Sequence, residues 1–152
     1  MLNDKEKQLL MQLRKNSRVN INDVAKKFNH ATSTMYDMLH RLEYKNIITH
    51  TSKVAFDKIG YPIKVFIIVK TTLNNKDKLK EYLQNKSNVN SLDIINHRSN
   101  FHMECIFRTQ IEVEEFLEEL EERHTLSEIN VYTVIETIHT EKFLTKEEHF
   151  TN

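Results

Sequence analysis

One glycine, one proline, one cysteine and no tryptophan occur in 152 residues. Each scarcity excludes something. A single cysteine rules out an internal disulfide framework, so the chain is expected to work inside a cell, in the cytoplasm. No apolar run approaches the ~18–20 residues of a membrane span. The opening "MLNDKEKQLL" carries charges where a secretory signal needs its apolar stretch. Near absence of glycine and proline leaves few places for irregular backbone, so regular elements should fill most of the chain. With 39% hydrophobic and 29% charged residues, the chain has enough apolar side chains for a modest core and is not disordered.

The net charge is zero but unevenly spread. Residues 1–53 hold ten Lys/Arg against five Asp/Glu, a surplus of +5, and the remainder carries −5. A basic part joined to an acidic part points to one half that meets a polyanion and one that does not.

Three helical patterns fill the first 46 residues. The first has Leu9, Leu10 and Leu13 on one face; the second, capped by Asn20 or Asn22, repeats Ile21, Val24, Ala25 and Phe28. After the polar break "NHATS", the third shows Met35, Met38, Leu39 and Leu42 at i, i+3, i+4 and i+7. Two short helices behind a supporting one make a helix-turn-helix. Two β-prone runs, "IITHT" and "KVAFD", then read as a hairpin, or wing.

Beyond Pro62 the pattern changes. "IKVFIIVKT" reads as a strand buried on both faces, and "NKDKLKEYLQNK" as a helix with Leu79, Tyr82 and Leu83 inward. "SLDIINH" and "FHMECIFR" read as strands around a short "RSN" turn. "IEVEEFLEELEERH" is a helix with seven glutamates on its outer side, and "EINVYTVIETIHT" a long last strand. The order βαββαβ is the split βαβ, or ferredoxin-like, unit. The fold class is therefore α+β: an N-terminal winged helix-turn-helix over residues 1–58, a hinge at 59–62 marked by Gly60 and Pro62, a βαββαβ unit over 63–140, and a tail over 141–152.

At this point the chain resembles the Lrp/AsnC (leucine-responsive, feast/famine) transcriptional regulators. The resemblance rests on "SRVNINDVAKKFNHATSTMYDMLHRLEYKNII", on "FDKIGYP" and on the βαββαβ order. Arg18, Val19, Val24 and Ala25 match the opening of the second helix. Ser33, Thr34, Arg41, Leu42, Glu43, Ile47 and Ile48 match the recognition helix and its exit. The resemblance implies a DNA-binding head, a C-terminal RAM-type domain that dimerises, assembly into dimers and possible tetramers or octamers, and small effectors, usually amino acids, bound between dimers. It implies double-stranded DNA as partner, and no enzyme activity, cofactor or metal.

With the methionine–leucine stripe inward, Ser33, Thr34, Tyr36, Asp37, His40, Arg41 and Tyr44 face the major groove, where the N-terminal residues lie nearest the base edges. Arg18, Lys26 and Lys27 would hold the flanking phosphates. Asp37 and Met38 stand where the family usually has arginines, and Asn29, His30, Ala31 and Thr32 replace its small-residue turn and cap. Weaker affinity or altered site preference is expected. The effector hairpin corresponds to His97, Arg98, Ser99, Asn100 and His102, with Ser99 at the family's glycine and His102 at its aspartate. The first change blocks close backbone approach and the second removes a carboxylate, which argues against amino-acid sensing. Alternation puts His102 and Cys105 on opposite faces, which argues against a metal site, and leaves Cys105 as a small buried residue. Two alternatives remain: a sirohaem-decarboxylase-like enzyme on the same fold, and an assembly protein without DNA or ligand function.

Overall fold

In the computed structural model, which describes residues 2–96 and 98–150, the chain forms two compact units. One holds the described residues up to Lys53 and those from Ile138 onward; the other spans Val54–Thr137.

The first unit is built on α1 (Asp4–Lys15), α2 (Ile21–Lys27) and α3 (Thr32–Tyr44). Helix α1 starts with a capping box: the Asn3 side chain accepts from the Glu6 amide at 2.9 Å, and Glu6 accepts from the Asn3 amide at 2.8 Å. Asn20 caps α2, accepting from the Asn22 amide. Leu9, Ile21, Val24, Ala25, Met35, Met38 and Leu42 form the core, with Leu39 half-buried beside it.

A chain with a single glycine must close its helices with something else, and asparagine takes that role. Asn29 (φ 55°) follows α2 and Asn46 (φ 52°) follows α3. His30 N–H bonds Ala25 O and Asn29 N–H bonds Lys26 O; after α3, Ile47 N–H bonds Leu42 O and Asn46 N–H bonds Glu43 O. Both ends are Schellman motifs, with asparagine in the left-handed position it tolerates better than other side-chain-bearing residues.

The expected wing hairpin is not a paired β-structure. Residues 48–55 carry no strand pairing, and Phe56–Ile59 is a 3-10 turn. Of the β-prone run only Ile48 packs on the helical core, while Ile47 and Val54 are 45% and 44% exposed, so there is no covered face for a ladder to form over.

The second unit is a four-stranded antiparallel sheet in the order β2-β3-β1-β4, from β1 (Ile63–Thr71), β2 (Val89–Ile94), β3 (Asn100–Phe107) and β4 (Leu126–Thr133). Helices α4 (Lys76–Gln84) and α5 (Gln110–Arg123) cover one face. Val65, Ile67, Val69, Phe101, Met103 and Cys105 pack there against Leu79, Leu83, Val113, Phe116 and Leu120. Strand β1 is therefore buried on one face only, not on both: on the other, Phe66 and Ile68 are half-buried, and among the described residues no helix of this unit packs over them. Strand β4 also stops short. Val134 N–H bonds Lys64 O at 2.9 Å as its last rung, because β1 begins at Ile63, just after a proline with no N–H. Ile135 and Ile138 are left 99% and 86% exposed.

The Gly60-Tyr61-Pro62 triplet lies inside the second unit, whereas the division from the first falls between Lys53 and Val54. Gly60 (φ 93°) ends the 3-10 turn in the left-handed region, and Tyr61 N–H returns to Phe56 O at 3.0 Å. The Tyr61 hydroxyl accepts from Arg108 Nη2 at 2.8 Å, and the guanidinium lies 4.7 Å from the ring centre. The triplet is thus an anchored turn leading into β1. A methyl group at Gly60 would meet nothing within 4 Å, so its cost comes from the backbone alone. Gly60→Ala is expected to lower unfolding stability by about 1–2 kcal/mol, read by denaturant titration of the full chain.

Candidate nucleic-acid interface

The sequence places a helix-turn-helix at α2 and α3, and the Schellman turn at Asn29 makes its corner. His30, half-buried in that corner, donates through Nε2 to Gln8 Oε1 at 3.2 Å and ties the turn to α1. Met35 and Leu42 are fully buried and Met38 nearly so, and this fixes which face of α3 points outward. Ser33, Tyr36, Asp37, His40, Arg41 and Tyr44 are exposed and Thr34 is half-buried, so the expected groove-facing residues do share one surface. Arg18, Lys26 and Lys27 are also exposed. Lys27 Nζ donates to Gln12 Oε1 at 3.3 Å and lies 5.6 Å from the Phe28 ring centre.

The start of α3 is bare. Ala31 occupies the cap position and supplies no side-chain hydrogen bond. The first amides of α3 therefore keep their donor capacity, at the end of the helix that carries partial positive charge. This combination suits a phosphate oxygen. Ala31→Ser adds the missing acceptor and is expected to raise stability by about 1 kcal/mol in thermal melts.

Two residues behave differently from the sequence reading. Arg41, expected to hold phosphate or guanine, turns its Nε to Glu6 Oε1 at 3.1 Å; the Glu6 side chain is 8% exposed and that of Arg41 45%. Arg41 is thus first a bolt between α3 and α1. Its partner was visible in the sequence: Asn3-x-x-Glu6 spells a capping box, and Glu6 stands three residues before Leu9 on the apolar side of α1. The second is His40. With His50 it donates to one carboxylate, His40 Nδ1 to Glu43 Oε2 at 3.2 Å and His50 Nε2 to Glu43 Oε1 at 2.9 Å. These bonds, His50's foremost, hold the Glu43 carboxyl below its ordinary pKa.

The hairpin expected to meet an effector has a different register from the short "RSN" turn. Ile94 pairs with Phe101, Ile95 N–H bonds Asn100 O at 3.0 Å, and Asn96 turns the chain with φ 51°. His97 lies outside the described residues. Phe101's partner is Ile94 because Asn100 belongs to the ladder, bonded by Ile95, and not to the turn. Arg98 is exposed, Ser99 O accepts from Thr71 N–H at 3.1 Å, and the buried Asn100 Oδ1 has no hydrogen-bond partner among the described residues. Phe101, in the family's aromatic position, is fully buried in the core. His102 lies on the opposite face, stacked on Phe66 with ring centres 5.4 Å apart and 3.5 Å from Asp93 Oδ2. Cys105 is buried among the core residues, and burial pushes its thiol up to about 12.

No family model matches the chain. An uncharacterised HTH-type transcriptional regulator of Pyrococcus furiosus is 20% identical over 138 residues, which cover 90% of this chain and 93% of that protein. LrpC of B. subtilis superposes with a TM-score of 0.79 at 18% identity, over 92% of this chain and 99% of LrpC. A transcriptional regulator of Neisseria meningitidis solved as a complex with L-Met gives 0.82 at 14%, over 92% and 94%. The chain has the Lrp/AsnC fold. That fold accounts for both units: the three-helix head with its Asn29 corner, and the antiparallel sheet carrying α4 and α5 on one face. The Lrp/AsnC fold also bears out the βαββαβ order read from the sequence, element by element, apart from the shortened β4.

Proposed function

We propose that the chain is a sequence-specific DNA-binding transcriptional regulator of the Lrp/AsnC type, acting as a dimer or larger assembly inside the cell, and not an enzyme. The observation that carries this reading is the outward face of α3. Its polar side chains share one surface, its first amides are uncapped, and it belongs to the part of the chain with a surplus of basic residues. The relative from Pyrococcus furiosus, matched over nearly its whole length, is a transcriptional regulator by name.

One recognition helix reads too few base pairs for useful specificity, so two copies are part of the mechanism. The half-covered sheet face with Phe66 and Ile68, and the bare Ile135 after β4, offer apolar surface for pairing. The Neisseria meningitidis relative was solved with L-Met. Here Phe101 is committed to the core and His102 to Phe66, so an amino-acid effector at this hairpin is disfavoured. A sirohaem-type enzyme is disfavoured too, because the sheet unit lies in the acidic part of the chain, poorly suited to a tetrapyrrole's carboxylates.

The test is binding of the full chain to duplex DNA from upstream of its own gene, followed by anisotropy across a salt series, with mass measured by light scattering. The reading expects a complex stronger than on unrelated duplex, with log affinity falling linearly against log salt. A monomer in solution, or equal affinity for every duplex, overturns it.

A further inference from the structure

After the sheet, the chain returns to the helical unit. There the guanidinium of Arg14 on α1 is taken twice: Nη1 pairs with the Glu141 carboxylate, and Nε donates to Phe143 O at 3.1 Å. The Lys53 ammonium donates to the Thr140 hydroxyl. Glu141 and Leu144 adopt positive φ (58° and 61°), and the segment turns so that Leu144 and Phe150 are half-buried. Its last turn, with Glu147 and Glu148, borders a cleft of about 440 Å³ whose other wall includes Met11, Lys15, Lys27 and Phe28.

We propose that residues 138–150 are a strap, bound in cis, that masks the basic outer edge formed by α1 and the end of α2, and that DNA phosphate and the strap compete for Arg14, Lys15 and Lys27. The inference rests on the DNA-binding reading above. The chemistry of the edge supports it. Three cations from two helix ends lie on this edge, and the strap brings three carboxylates and one ammonium to it: Glu141 onto Arg14, and Glu147, Glu148 and Lys146 onto the cleft that holds Lys15 and Lys27, with Lys146 paired to Glu148 at 3.2 Å. Exposed ion pairs of this kind are individually weak and screened by salt. A duplex, which releases condensed counterions when cations bind it, can displace them. The apolar part of the strap (Leu144 and Phe150) gives it a reason to return when DNA leaves.

The experiment compares the full chain with a chain ending at Thr137 on the same duplex across a salt series. The shortened chain is expected to bind about tenfold tighter, with a log-affinity slope against log salt steeper by about one to two. A synthetic peptide of residues 138–152 added in trans should return affinity toward that of the full chain. In the full-length protein, Glu141→Gln should shift binding in the same direction by a smaller factor, and it carries the test if the shortened chain fails to fold. Equal or weaker binding by the shortened chain with its helical content intact, or no change for Glu141→Gln, overturns the strap. Absence of duplex binding by every version is a different result, which overturns the DNA-binding reading and the strap with it.

Discussion

Replacing Arg18, Lys26 and Lys27 together by glutamine is expected to weaken duplex binding about 100- to 1000-fold at 0.1 M salt. The magnitude follows from counterion release. Each phosphate neutralised on B-DNA contributes a slope of about −0.9 in log affinity against log salt, so three lost contacts remove nearly three decades at that salt and almost none near 1 M. The three side chains are exposed and touch the core little, so the loss should come without unfolding. Lys27 has the closest local ties, through Gln12 and Phe28. Affinity for specific and unrelated duplexes should fall by similar factors, because phosphate contacts position the protein without reading sequence. A loss confined to the specific site, or an unchanged salt slope, would show that these residues do not hold the backbone. Asp37, exposed on the reading face, makes the contrast: Asp37→Asn removes a repulsion and should strengthen binding to any duplex.

The helices and the sheet order were legible because both rest on periodicity. The Met35, Met38, Leu39 and Leu42 stripe has one helical solution, and the apolar run from Ile63 has one strand solution, bounded by Pro62. The failures share a cause: each depends on what lies opposite an element, which spacing along one element does not encode. "IITHT" and "KVAFD" have the composition of strands but no surface to cover. The last strand ends at Thr133 because its neighbour begins at Ile63, a limit written in β1 and not in β4. The hairpin begins to turn as early as Asn96 because that residue takes a left-handed conformation, and in sequence it reads as an ordinary polar residue. The return of the tail to Arg14 pairs residues 127 positions apart. In the candidate site, exposure on α3 was legible from the stripe and Glu6 from its capping box, whereas the tie of His40 and His50 to one Glu43 carboxylate was not.

Arg41→Ala is expected to destabilise the helical unit by about 2 kcal/mol, and this loss should precede any direct effect on DNA reading. Glu6 sits almost wholly out of water, held by the Asn3 amide at 2.8 Å and by Arg41 at 3.1 Å. Removing the guanidinium leaves a buried carboxylate with one remaining hydrogen bond, and an uncompensated buried charge is costly. The exposed side of Arg41 moderates the loss below the ~3–5 kcal/mol of a fully buried pair. The diagnostic is the second substitution. If Arg41 serves chiefly to satisfy Glu6, then Glu6→Gln, which keeps a polar group for the Asn3 amide but removes the charge, should restore much of the stability lost in Arg41→Ala. The coupling in a double-mutant cycle should then be of the order of 1–2 kcal/mol. If Arg41 serves chiefly the duplex, the cycle closes near zero in unfolding measurements while DNA affinity falls for Arg41→Ala alone. Denaturant titrations of the four proteins, read beside their binding to the same duplex, separate the two roles, because stability and binding then move independently.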